Sequence, residues 1–94
     1  MTHDDIVKLV AWLKERVTLT GDGRVDFDEP DEESMAGAGF GPEVAAKTLR
    51  APWWPDMVAD IVETPDCAGP GCGPDLVLRY ARDVVFEYIA KRLA

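Results

Sequence analysis

The end of the chain constrains the fold most. After Pro74 come twenty residues, Asp75 to Ala94, without a Gly or a Pro. Proline suits the first turn of a helix, where its missing N–H would have had no partner. Twenty helical residues span about 30 Å, the diameter of a small domain. The rest of a 94-residue chain must therefore be arranged around this one rod. Leu76, Val77, Tyr80, Ala81, Val84, Val85, Tyr88, Ile89 and Leu93 recur at helical spacing and nearly surround it, leaving Arg79, Asp83, Glu87 and Lys91 as a narrow polar stripe. A helix so apolar lies in the middle of a core or shares a face with another chain. The width of the stripe predicts a homodimer through the 75–93 helix.

The other elements are shorter. Residues 4–17 carry Ile6, Leu9, Val10, Leu13 and Val17 on one helical face, with Thr2 or Asp4 to cap the start and Lys14 and Arg16 in the last turn. Around Gly21-Asp22-Gly23 the pattern changes to alternation, which predicts a short β-hairpin near 18–28. Residues 30–41 combine Pro30, a run of acids and Gly37, Gly39 and Gly41, and read as a mobile loop. Short helices are expected from Pro42 to about Arg50 and from Pro55 to Glu63, and residues 64–74 read as a Cys-, Gly- and Pro-rich loop. The expected fold class is mainly α: about four helices with a long C-terminal one, in a single domain spanning 1–94.

Charge is concentrated rather than spread. Between Asp22 and Glu33 stand seven carboxylates (Asp22, Asp26, Asp28, Glu29, Asp31, Glu32, Glu33) and one cation, Arg24, a net of −6 in a chain of net −8. Such a balance works against direct binding to nucleic acid, which needs clustered Lys and Arg, and against anionic membranes. It favours a protein partner with a basic surface. No apolar run approaches the roughly 20 residues of a membrane span. The start, MTHDDIVKLV, lacks the basic opening of a signal peptide, so a cytoplasmic location is expected. The chain has no Asn, no Gln, one Ser and four Lys, the bias of a GC-rich genome such as that of an actinobacterium or one of its phages.

Part of the acidic stretch, Thr18–Glu29, resembles the calcium loop of an EF-hand. A helix precedes it. Counting twelve positions, Asp22 falls at position five, Gly23 at the obligatory glycine, Val25 at the apolar position eight, Asp26 at nine and Glu29 at the bidentate position twelve. The pattern departs at positions one and three, where Thr18 and Thr20 replace aspartates, and at Pro30, where the exit helix should continue. Asp22, Asp26, Asp28 and Glu29 are the candidate cation ligands, at weak affinity.

Pro52-Trp53-Trp54-Pro55 is similar to the tetrapeptide that names the PWWP chromatin-reader family, with VAAK before it and DMV after it resembling that family's first two strands. The resemblance implies an aromatic cage for a methylated lysine, with Trp54 as a wall, although Ala51 stands where the family has another aromatic. Without the resemblance, two adjacent Trp residues are hard to bury together in so small a domain. One held at the surface by flanking prolines would make a rigid interface anchor. Cys67 and Cys72 admit three readings: free thiols, a small disulfide loop, or half of a zinc site completed by His3 and an acid.

Catalysis has little support in these residues. Ser34 stands in the acid-rich stretch without an evident base, His3 is at the terminus, and GAGFG at 37–41 lacks the strand and lysine of a phosphate loop. The expected function is non-enzymatic and needs no cofactor: an acidic protein that binds another protein, such as a phage-encoded or accessory inhibitor of a host protein. Its candidate contacts are Trp53, Trp54, Asp28, Glu29, Asp31, Glu32 and Glu33. A calcium-binding module is the alternative, and a DNA mimic, which needs acids spaced on a rigid surface, is the third reading.

Overall fold

The structure, a computed structural model, describes residues 1–64 and 73–93. The first helix, α1 (His3–Glu15), begins where Thr2 and Asp5 satisfy each other's backbone. The Thr2 hydroxyl accepts from the Asp5 N–H at 3.2 Å, and the Asp5 carboxylate accepts from the Thr2 N–H at 3.1 Å. Ile6, Leu9, Val10 and Leu13 are buried along one face. The chain then folds back as a hairpin, β1 (Val17–Leu19) against β2 (Val25–Phe27), with Val17 opposite Phe27 and Leu19 opposite Val25. Gly23, at φ +83°, supplies the left-handed turn residue between the strands. Val17, Val25 and Phe27 are buried, while Thr18 and Asp26 between them are exposed, as the two-residue period of a strand requires.

Three short helices follow: α2 (Glu32–Gly37), α3 (Pro42–Leu49) and α4 (Trp54–Val62). Proline stands in the first turn of the latter two. Thr48, fully buried in α3, donates its hydroxyl to the Val44 carbonyl at 2.8 Å, so no polar atom is orphaned there. The last helix, α5 (Pro74–Arg92), buries Val77, Ala81, Val85 and Ile89, one residue every four. That stripe meets Leu9 and Leu13 of α1, Val17 of β1, and Met57 and Ile61 of α4 in a single apolar cluster. Each fully buried side chain of this size contributes about 1.5–3 kcal/mol relative to exposure. Arg82 ties α5 to the hairpin by donating to the Val17 carbonyl at 3.2 Å.

The architecture is mainly α with a long C-terminal helix and one hairpin, as the sequence pattern predicts. There are five helices among the described residues rather than about four. The additional one, α2, lies inside the stretch 30–41 expected to be a loop. It exists because both of its ends are capped. The Asp31 carboxylate accepts from the Ser34 N–H at 2.7 Å, and the Ser34 hydroxyl accepts from the Asp31 N–H at 2.9 Å. At the other end Gly39, at φ +93°, lets the Phe40 N–H reach the Met35 carbonyl and its own N–H reach that of Ala36, each at 3.0 Å. Met35 and Phe40 are thereby driven into the core. Cys67 and Cys72, and with them most of the expected 64–74 loop, lie outside the described residues.

Candidate functional site

Of the acids between Asp22 and Glu33, Asp26 lies in β2 and Glu32 and Glu33 in α2, while Asp22, Asp28, Glu29 and Asp31 stand on the turn and connections beside them. Asp26 in β2 and Asp28 just after it are both exposed, while Phe27 between them is buried. Asp28 pairs with Arg16 at 3.1 Å, and the same guanidinium donates to the Asp28 carbonyl at 2.8 Å. Glu32 pairs with Arg50, the residue that follows α3, at 3.1 Å. Asp22 accepts from the Thr20 hydroxyl, which holds its carboxyl below the usual range, with Arg24 a further contributor. Asp31 is also held low, first by the Ser34 N–H and then by the Ser34 hydroxyl. Glu29 accepts from the Trp54 indole N–H at 3.3 Å.

The EF-hand geometry does not form. Thr18 and Asp26, the first and ninth loop positions of the resemblance, sit opposite one another in the strand pair. No helix continues from Glu29; α2 begins only at Glu32, beyond Pro30. Among the described residues, no three His, Cys, Asp or Glu side chains form a group that would hold a metal ion. The structure thus spreads Asp22, Asp26, Asp28 and Glu29 along a turn, a strand and the connection that follows it.

The Trp pair divides its work. Trp54 opens α4 and is buried, 8% exposed, with its ring 6.1 Å from that of Phe27. It is core, and its reading as a surface anchor is corrected on that ground. Trp53 is half-buried and stacks at 5.8 Å on Tyr88 of α5, whose hydroxyl donates to Asp60. That bond raises the Tyr88 pKa. The flanking segments expected as PWWP-like strands are α3 and α4, so the resemblance stops at the tetrapeptide.

Two clefts run along opposite sides of α5. One, about 620 Å³, lies toward α4 and is lined by Asp60, Glu63, Glu87 and Tyr88 with Tyr80 and Val84. The other, about 580 Å³, lies between α5 and α1 and is more apolar. Its walls are Val7 and Ala11 on one side and Phe86 and Ala90 on the other, above a floor of Ile6 and Val10. Val7 is 55% exposed and Phe86 50%. The ammonium of Lys14 lies 5.7 Å from the centre of the Phe86 ring, a favourable seat for a cation. The sequence pattern misses this groove because Val7 and Phe86 stand off the periodic stripes of their helices. An aromatic ring off the stripe was the available signal.

The apolar belt of α5 is mostly covered: α1, α4 and the hairpin bury its centre, and Trp53 shields Tyr88. Of its residues, Tyr80 and Phe86 are left as large exposed side chains. No described helix is long and apolar enough to cross a membrane. No family model matches the chain, and neither the curated proteins nor the solved structures searched contain a match to it.

Proposed function

We propose that this protein is a non-enzymatic binding module that docks another protein on the groove between α1 and α5. The observation that supports the reading is the pairing of Val7 and Phe86, two large apolar side chains about half exposed on facing helices over an apolar floor. Scattered exposed apolar residues are ordinary, but adjoining ones that line a groove characterise a protein interface. An aromatic anchor at the centre of such a groove carries a large share of binding energy. An inhibitor or accessory factor acting on a host protein is one biological form of this activity.

A second reading places a basic partner on the acidic edge. It is favoured by the way β2 holds Asp26, the Arg16 pair holds Asp28 and the capped α2 holds Glu33, all three exposed. The two surfaces are separable by mutation. Immobilised wild-type chain, Phe86→Glu, Val7→Glu and an Asp26→Asn/Glu33→Gln variant are compared for proteins captured from a lysate of the source cells. The groove reading expects a captured protein to be lost in both groove variants and kept in the acid-depleted one. Capture that ignores the groove variants overturns it, and loss in the acid-depleted variant alone transfers the site to the acidic edge.

A further inference from the structure

The groove's charges identify its occupant more closely, on the reading that the groove binds protein. In a chain of net charge −8, the ionisable side chains that line this groove are His3 and Lys14, and neither is an acid. They stand at its two ends. Lys14 closes the end near the start of α5, where it shares a smaller cleft with Arg79, Arg82, Asp75 and Asp83. His3 stands at the opposite end of α1. Between them the lining is apolar.

His3 and Lys14 are eleven residues apart on one helix. Eleven residues are close to three full turns, so both project from one face of α1, about 16 Å apart along its axis. A groove between two helices is the natural seat for the ridge of a third. From this geometry we infer that the groove receives an amphipathic helix of a partner protein, with an apolar stripe of about three turns and an acidic residue at each end of it, eleven positions apart. The apolar stripe covers Val7 and Phe86. One carboxylate meets the Lys14 ammonium and the other accepts from the His3 imidazole N–H. A second copy of this chain fits less well: an antiparallel two-fold pairing across the groove sets Lys14 of one copy against His3 of the other, and the lining offers neither of them a carboxylate.

The test uses the full chain and two helix-stabilised peptides of eighteen residues. Both carry the same apolar stripe; one has Glu at positions eleven apart and the other has Lys there. Fluorescence anisotropy should show the Glu peptide binding about fivefold or more tightly than its Lys twin, a modest ratio because exposed ion pairs are individually weak. Lys14→Glu should reverse the preference. Phe86→Glu and Val7→Glu, both at exposed positions and checked for native circular dichroism, should abolish binding of either peptide. Equal affinities, no binding, or a preference that Lys14→Glu leaves intact would overturn the inference. So would sedimentation showing a wild-type dimer that Phe86→Glu converts to the 10.3 kDa monomer, because the groove would then hold a second copy. If neither peptide binds while Phe86→Glu still loses a lysate partner, the helical occupant falls and the protein-binding reading stands.

Discussion

The acidic edge and the α1/α5 face differ sharply in charge. Residues 22–33 hold seven acids against one cation, whereas α1 and α5 together hold six acids and six Lys or Arg, a net of zero. The whole net charge of −8 therefore resides outside the two long helices. The edge keeps its carboxylates hydrated and gives up little apolar area to water: Val25, Phe27 and Met35 all turn inward. The neutral face does the reverse, leaving Val7 and Phe86 partly uncovered. Like charges repel and hold water, so the edge resists close approach except by a cation-rich surface. A neutral apolar groove loses little by desolvation and gains by being covered.

The largest expected effect separates the two sides of α5 itself. Ile89→Ala, on the fully buried stripe, should cost about 2–5 kcal/mol in urea unfolding. Phe86→Ala, one turn away on the groove side, should cost no more than about 1 kcal/mol, because half its surface is already in water. Equal losses would mean that the groove residue is structural and would remove the contrast between inner and outer faces.

A smaller effect tests how the acidic edge is fixed to the core. Trp54→Phe keeps an aromatic ring against Phe27 but removes the N–H that donates to Glu29. About 1–2 kcal/mol should be lost, combining the hydrogen bond with the smaller ring volume. Glu29→Gln retains an acceptor and should lose less. A Trp54→Phe chain as stable as wild type would show that Glu29 is held by water rather than by the indole.

Acid sharpens the comparison through the caps. Asp5 at the start of α1 and Asp31 at the start of α2 have pKa values lowered from 3.8, each chiefly by an accepted backbone hydrogen bond. A lowered folded-state value means that the charged form is preferred in the native state. The stabilisation is complete above about 3.8 and is lost as pH falls through the lowered folded values. The melting temperature should therefore hold from pH 7 to about pH 5 and drop below about pH 4. Asp5→Asn and Asp31→Asn should each flatten that drop; an unchanged acid limb in both would locate it in other carboxylates.

Salt should produce the smallest change. Screening relieves repulsion along 22–33 and does little to the neutral face, so stability should rise with NaCl by a few tenths of a kcal/mol, and Glu33→Gln should reduce the increment. Calcium should not imitate this: with Thr18 and Thr20 replacing two aspartates, titration calorimetry should show no affinity tighter than about 0.1 mM. A micromolar constant would restore the cation-binding reading.

Most of the secondary structure was legible because its causes are local. The apolar period of α1, the prolines that open α3 and α5, the uninterrupted run after Pro74 and the alternation around Gly21-Asp22-Gly23 each fix an element within a few residues. The α2 helix was also local, but its signal was obscured. Asp31 and Ser34 cap a helix of only six residues, within a glycine-rich acidic stretch whose composition favours a loop. Its caps outweigh that composition because Met35 and Phe40 gain burial when the turn forms.

Local pattern alone thus specified four of the five described helices, the hairpin and the concentration of charge. Which of two adjacent tryptophans enters the core was decided by tertiary structure: Phe27 and Glu29, more than twenty residues earlier in the chain, give Trp54 an aromatic wall and an acceptor. Tertiary structure likewise decided how much of α5 stays uncovered and which residues share a groove. Val7 and Phe86 lie nearly eighty residues apart, and nothing in either segment specifies the other. Periodicity records the face a helix buries, but not which neighbours arrive to bury it, and the groove exists only because α1 and α5 cover each other's inner stripes and leave their off-stripe apolar residues side by side.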